Sequence, residues 1–229
     1  MLTNLVYIAV LLAILILLLT MLGFRPGASK EISPGLYIVL SGFSNLYLLE
    51  TSEGLVAFDS GLNSWLTSRG LRSLHLNGDK VQAVFLTHSD FDHVSGLAAF
   101  PNAKVYLSAA EVQMIDGRTA RRGFARNSLS RAYSVLQDGE VVQIGSSKVC
   151  LHIAPGHTPG SAVYEVNGHI LVSGDLLTIG RSGEILPFTV LMNMNHRQNI
   201  QTLAELKPLV DRAEYVLSGH SGYRHHLIM

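Results

Sequence analysis

From residue 36 onward, short apolar runs alternate with breaks rich in Gly, Asn, Ser and Pro, which is a pattern of strands and turns joined by short helices. The runs at 36–40, 45–50 and 55–58 read as three strands, with 51–54 a hairpin turn between the last two. Leu62, Trp65, Leu66, Leu71, Leu74 and Leu76 fall at mixed helical spacing, so 62–76 reads as a helix interrupted near Gly70, with Trp65 a core residue. The β-branched and aromatic run 81–86 reads as a buried strand, and 103–107 as another. Between them 91–100 reads as a helix capped by Ser89 or Asp90, and 108–115 as a short helix in which Ser108 and Glu111 fit a capping box. Runs at 140–144 and 148–153 form a hairpin, 170–173 and 215–217 are further short strands, and 195–206 is an amphipathic helix stopped by Pro208. The expected class is α/β, with two sheets between helices.

A different texture precedes this domain. Residues 5–24 carry no charge and match the ~20 apolar residues a membrane-spanning helix needs. Residues 1–4 bring only the terminal amine, and no small-x-small cleavage site follows, so an uncleaved anchor is expected over the competing signal peptide. Arg25 and Lys30 put positive charge on the domain side, which leans the domain towards the cytoplasm. The division expected is a transmembrane anchor at 1–24, a breaker-rich linker at 25–31 and a globular domain at 32–229, making a single-pass membrane protein.

Charge and cysteine content narrow the function. Seventeen basic and seventeen acidic residues balance, so there is no overall field to attract nucleic acid, and a small-molecule substrate is the expected partner. Cys150 is the only cysteine, which excludes a disulfide scaffold.

The candidate chemistry gathers where strands stop. The run 81–86 ends at Thr87-His88-Ser89-Asp90-Phe91-Asp92-His93, two imidazoles and two carboxylates within six residues. Neutral His nitrogen and Asp oxygen are donors that Zn, Mn and Fe share, and four donors exceed what one catalytic ion takes from a single segment, pointing to two adjacent ions. A helix cap explains one of these residues and leaves three. The same setting recurs: His157 in a Pro- and Gly-rich turn after 149–154, Asp175 after 170–173 and His220 after 215–217.

In order, Val-Ala-Phe-Asp-Ser-Gly at 56–61, the cluster at 88–93, Gly-His-Thr-Pro-Gly at 156–160, Gly-Asp at 174–175 and Gly-His at 219–220 resemble the metallo-β-lactamase superfamily, in its glyoxalase II and lactonase-like branch. The resemblance covers roughly residue 32 to the C-terminus and implies an αββα sandwich of two mixed sheets flanked by helices. It also implies a first metal site of His88, Asp90 and His157 and a second of Asp92, His93 and His220, with Asp175 bridging and Asp59 holding ligands in place. Asp92 would orient the attacking water or accept its proton. The activity implied is metal-dependent hydrolysis of a small ester, lactone or thioester with two divalent ions, zinc by family.

One position departs from the family's His-x-His-x-Asp-His: its second His is Asp90 here. An oxygen donor there shifts preference towards iron or manganese, or weakens the first site and leaves one ion on Asp92, His93, Asp175 and His220, or marks a fold that binds without turnover. An iron-dependent redox enzyme, a phosphodiesterase or nuclease, and a non-catalytic relic are therefore the competing functions.

Two segments remain. Arg118, Arg121, Arg122, Arg126 and Arg131 occur with no acid from 117 to 137. They read either as a wall for an anionic substrate group, or more plainly as a solvated face or a basic patch beside anionic lipid. The loop 181–195 follows Asp175 closely enough to line a pocket.

Overall fold

Val84 and Phe85 point to opposite sides of one strand and into different apolar layers, and this alternation sets the layering of the whole domain. In the computed structural model, which describes residues 6–7, 10–11, 23–121, 126–129 and 131–226, the first half forms a seven-stranded sheet in sequential order. Its strands are β1 (Lys30–Ser33), β2 (Leu36–Ser41), β3 (Ser44–Thr51), β4 (Gly54–Phe58), β5 (Val81–Phe85), β6 (Lys104–Ser108) and β7 (Ser134–Leu136). Tight turns make β1 to β4 antiparallel. Longer crossovers carrying α1 (Ser64–Ser73), α2 (Phe91–Val94) and α3 (Val112–Ile115) make β4 to β7 parallel.

The second half supplies β8 (Val141–Ile144), β9 (Ser147–Ile153), β10 (Ala162–Val166) and β11 (Ile170–Gly174), then the ribbon β12 (Leu177–Ile179) and β13 (Ile185–Pro187). Helices α4 (His196–Glu205) and α5 (Lys207–Arg212) lead to β14 (Tyr215–Ser218) and β15 (Gly222–His225). Six of these strands pair in the order β15-β14-β11-β10-β9-β8, with β11 and β14 parallel. Between the sheets Ile38, Tyr47, Phe58 and Phe85 meet Leu151, Tyr164, Val172 and Leu217. Val39, Leu48, Val84 and Leu86 pack outward under Leu71, Leu97 and Phe100, while Val163, Leu171 and Val216 pack under Val210. The result is the expected helix–sheet–sheet–helix sandwich of mixed sheets.

Two buried tyrosines tie the sheets together where the functional loops emerge. The Tyr164 hydroxyl donates to the Leu86 carbonyl at 2.8 Å, and the Tyr47 hydroxyl lies 2.8 Å from the Ser218 carbonyl and 2.7 Å from that of Gly222. Each hydroxyl keeps a hydrogen bond inside an apolar layer, so the strand ends are held in register with one another.

Several local expectations change. Helix α1 is shorter than 62–76, and Trp65 is 63% exposed instead of buried, because Thr67, Gly70 and Leu71 take the inward face. Gly70 is required there, since a Cβ would come within 2.5 Å of Val39 Cγ1. The helix expected at 91–100 is two pieces, α2 and a 3-10 turn at Leu97–Ala99, divided at Gly96, where a side chain would collide with the Ser60 carbonyl. Ser108 caps its turn by accepting from the Glu111 N–H at 3.1 Å, but the Glu111 carboxylate turns inward and does not close the capping box.

The apolar segment 5–24 lies mostly outside the described residues; among those described, no helix is long and apolar enough to cross a membrane. Residues 25–31, expected as a linker, lie against the domain: the Arg25 N–H donates to the His220 carbonyl at 2.7 Å, and Gly27 exchanges bonds of 2.7 and 2.8 Å with the Asn45 side chain. Strand β1 starts already at Lys30.

Replacing Tyr164 by Phe keeps the ring and removes the bond to Leu86, so the unfolding free energy in urea should fall by about 1 kcal/mol with an unchanged denaturant slope.

Candidate metal centre

Strands β4, β5, β9, β11 and β14 each run into a loop bearing a predicted site residue, and all five loops meet at one rim of the sandwich. Asp59 follows β4 in a left-handed conformation, φ 62°, which costs about 1–3 kcal/mol for a residue other than glycine. Buried hydrogen bonds offset that strain. The Asp59 N–H donates to the Phe85 carbonyl at 2.9 Å, and its carboxylate accepts from the Thr87 N–H at 2.8 Å and the Thr87 hydroxyl at 2.9 Å. Glycine at 174 and 219 leaves the room this needs: a Cβ on Gly174 would sit 2.5 Å from Thr87 Oγ1, and one on Gly219 2.5 Å from Asp175 Oδ1.

The hydrogen bonds select one tautomer at all four histidines. His93 Nδ1 lies 2.8 Å from Asp59 Oδ2, His220 Nδ1 2.8 Å from the Phe43 carbonyl, and His157 Nδ1 3.3 Å from Asn193 Oδ1, so each Nδ1–H donates outward. Thr87 Oγ1, which gives its proton to Asp59, accepts from His88 Nδ1 at 3.0 Å. Every Nε2 lone pair is thereby left facing the centre, the orientation metal-ligating histidines take when the other nitrogen is tied to an acceptor.

Asp175 lies in the middle, its carboxylate within 3.2 to 3.9 Å of the Nε2 atoms of His220, His157, His93 and His88. Asp92 Oδ2 sits 3.2 Å from His220 Nε2 and 3.6 Å from His93 Nε2, and the last two nitrogens are 3.5 Å apart. A tetrahedral ion with bonds of ~2.1 Å spaces its donors about 3.4 Å apart, so Asp92, His93 and His220 already hold the spacing of an ion-binding set, with Asp175 beside them. Asp175 Oδ1 is buried with no hydrogen-bond partner among the described residues, a costly condition that an ion would relieve; His88 Nε2, in the first predicted site, is unpaired in the same way. The second predicted site therefore fits a divalent metal.

Without an ion, the clustered carboxylates draw a proton onto the centre instead. Burial raises the Asp175 carboxyl, but His220, His93 and His157 outweigh burial and hold it well below the usual range. Burial likewise opposes a charged His93, and Asp175, Asp59 and Asp92 overcome it and raise its pKa to about 9. His157 differs: burial dominates, lowers its pKa and keeps it neutral.

The first predicted site is assembled but not open. His88, Asp90 and His157 converge, with Asp90 Oδ2 3.5 Å from His88 Nε2 and 3.1 Å from His157 Nε2. Arg121 enters the same space. Its Nε donates to Asp90 Oδ1 at 2.9 Å, its Nη2 to Asp90 Oδ2, and the same Nη2 lies 2.8 Å from His157 Nε2. Asn127 Nδ2 donates to Asp90 Oδ1 at 2.9 Å. Burial works against the Arg121 charge, but Asp90, followed by Asp175 and Glu111, outweighs it and holds the guanidinium above its ordinary value.

Sequence reasoning missed Arg121 and Glu111 as residues of the centre. Glu111 is fully buried and clamps two ligand loops, accepting from Ser89 N at 2.9 Å, Thr158 Oγ1 at 2.6 Å and Gly160 N at 3.2 Å. The arginine stretch, read most plainly as a solvated face, divides. Arg118 pairs with Asp116 at the surface, Arg131 donates to the carbonyls of Phe100 and Ala103 at 2.6 and 2.8 Å, and Arg121 reaches the centre. Arg122 lies outside the described residues.

A cleft of about 610 Å³ opens over Asp90 and Asp92. Arg121, Arg126 and Asn127 line one side, and Phe91, Leu191, Met192 and Met194 give it an apolar wall, as expected for the loop 181–195. Phe24 and Phe188 stack on the His220 ring with centroids 4.1 and 5.6 Å away, shielding that side from water.

The profile of the metallo-beta-lactamase superfamily matches residues 40–220. The human acyl-coenzyme A thioesterase MBLAC2 is 29% identical over 229 aligned positions, spanning 84% of this chain and 80% of that protein. A hydroxyacylglutathione hydrolase from Gloeobacter violaceus is 32% identical over 145 positions, 61% of this chain and 49% of that one. Among solved structures, a B3 metallo-β-lactamase described as having an active-site glutamic acid superimposes with a TM-score of 0.66 at 20% identity, covering 89% of this chain and 85% of the other.

With metal chelated away, the charged pairs that raise His93 stabilise the fold fully below the unfolded value of ~6.5 and lose that contribution as pH rises through about 9. Urea denaturation of the chelated protein at fixed ionic strength should therefore show stability falling between pH 6.5 and 9.

Proposed function

Because the chain belongs to the metallo-β-lactamase superfamily, we propose that it is a metal-dependent hydrolase whose substrate is an acyl thioester, with small esters and lactones as secondary substrates. The observation that carries this reading is the common tautomer of His88, His93, His157 and His220, each Nδ1 tied to a protein acceptor and each Nε2 turned onto Asp90, Asp92 or Asp175. Relatives named for thioester cleavage, one on acyl-coenzyme A and one on hydroxyacylglutathione, support the choice of thioester. The cleft supports it too, since its apolar wall suits an acyl chain and its arginines suit an anionic carrier.

Asp92, His93, Asp175 and His220 would hold the ion, taken as zinc because a relative is named as a zinc-dependent hydrolase. When bound, such an ion would lower the pKa of a water towards ~7. Asp92 orients the attacking water and takes its proton; as the C–S bond breaks, that proton goes to the departing thiolate. Asp59 acts at one remove by keeping the His93 and His88 lone pairs aimed inward. The iron-dependent reading drew on a free oxygen donor at Asp90, and both of its oxygens are engaged by Arg121 and Asn127.

Placement at a membrane belongs to the same proposal. The apolar segment 5–24 ends on Phe24, whose ring lies against His220, so a chain anchored through that segment, with its domain in the cytoplasm, holds the cleft close to the bilayer surface. Full-length protein should then sediment with membranes and resist carbonate extraction; recovery in the soluble fraction would remove the anchor.

Full-length protein loaded with zinc should cleave acyl-coenzyme A and hydroxyacylglutathione faster than lactones, β-lactams or phosphodiesters, lose activity to a chelator and regain it with added metal. Asp59→Asn should weaken metal affinity about 10–100-fold. Metal-replete protein inert on the whole panel would overturn the hydrolase.

A further inference from the structure

We propose that the guanidinium of Arg121 replaces the first metal ion, so that this chain works with one divalent ion, at Asp92, His93, Asp175 and His220, and one built-in organic cation. The inference rests on the hydrolytic reading for its chemistry but on geometry alone for the metal count.

The geometry comes first. His157 Nδ1 donates to Asn193 Oδ1 at 3.3 Å, so His157 Nε2 carries the lone pair that a first-site ion would take. That lone pair faces Asp90 Oδ2 at 3.1 Å, two electron-rich atoms in contact unless something positive lies against both. Arg121 Nη2 is that positive group: it touches Asp90 Oδ2 and lies 2.8 Å from His157 Nε2. With Nε on Asp90 Oδ1, the guanidinium grips the carboxylate side-on by two parallel bonds, a match of planar fork to carboxylate that a histidine at position 90 could not make. The unusual Asp at 90 and the arginine at 121 are thus two halves of one substitution.

Local charge points the same way. Asp90, the one carboxylate of the first cluster, is already paired with the Arg121 guanidinium, so an ion entering beside His88 and His157 would meet a cation.

Among the described residues the guanidinium also has a donor to spare. Nε–H goes to Asp90, both Nη2–H groups to Asp90 and His157, and one Nη1–H to the Met192 carbonyl at 2.8 Å. The second Nη1–H has no partner among the described residues, on a side chain that lines the cleft. In this proposal it binds the oxygen of the scissile carbonyl, the work otherwise done by the first ion. As negative charge grows on that oxygen during attack, a fixed cation beside it stabilises the transition state more than the ground state.

The test is a metal count on full-length wild-type protein, by titration with Co²⁺ followed by visible absorption and by elemental analysis after desalting. One equivalent per chain is expected, and two equivalents, or none, would overturn the proposal. The double variant Asp90→His/Arg121→Ala, checked for folding by circular dichroism, should rise to two equivalents; a wild-type count already at two makes the variant unnecessary, because the guanidinium has then yielded to an ion. Arg121→Lys, which keeps the charge but loses the fork, should lower kcat at least tenfold while the count stays at one and KM moves less; an unchanged kcat would overturn the carbonyl-binding role. The two readings fail separately. One bound ion without turnover refutes the hydrolase and leaves the replacement standing, whereas two ions with thioester cleavage does the reverse.

Discussion

The Asp59 carboxylate accepts from the Thr87 main chain, from the Thr87 hydroxyl and from His93, and through that hydroxyl it also sets the proton on His88. One buried anion thus orients two imidazoles and fixes the loop that follows β5. The bonds require Asp59 to sit in a left-handed turn directly after β4, which the parallel pairing of β4 with β5 holds in place. A register change between those strands would move Thr87 away from Asp59 and release both histidines. Catalytic orientation therefore depends on sheet register, and sheet register on the apolar layers to either side.

Those layers explain how a centre with so many charges tolerates burial. Phe58 and Phe85 stack beneath the rim with Tyr164 edge-on to Phe85, and Phe24, Phe43 and Phe188 surround His220. In such surroundings each ionised group needs a close partner, and the described structure supplies one at nearly every point. Asp90 has Arg121 and Asn127, Asp92 and Asp175 have His93 and His220, and Glu111 has Ser89, Thr158 and the Gly160 N–H. Of the buried polar atoms left without partners among the described residues, two, His88 Nε2 and Asp175 Oδ1, belong to the ligand clusters. Within the described centre, they mark where charge compensation from the protein stops and where a ligand would complete it.

The N-terminal stretch ahead of β1 takes part in the same arrangement. Arg25 bonds to the His220 carbonyl and to that of Ile179, and Phe24 covers the His220 ring, so a segment whose composition reads as a tether behaves as part of the wall. Its breaker-rich sequence is that of a chain with no ladder of its own, which forms bonds to the Asn45 side chain and to loop carbonyls instead.

Much of this was legible along the chain. The segments bearing His88, Asp92 and His93, His157, Asp175 and His220 each begin where an apolar run stops, and a strand that ends abruptly at ionisable residues marks both the strand and a candidate site. The near-continuous apolar run at 81–86 likewise announced a strand covered on both faces. Where a local explanation was already sufficient, the reading stopped short: Glu111 satisfied a capping pattern, Trp65 a helical repeat, and Arg121 a run of surface charge. Their actual roles were settled by partners far away in sequence, Glu111 by loops 22 and 47 residues distant and Arg121 by Asp90 and His157, 31 and 36 residues distant. Periodicity records which face of an element avoids water. Which charges neutralise one another across a buried centre is decided only when the fold has brought them together, because that cancellation is a property of distances between chain segments and leaves no period behind.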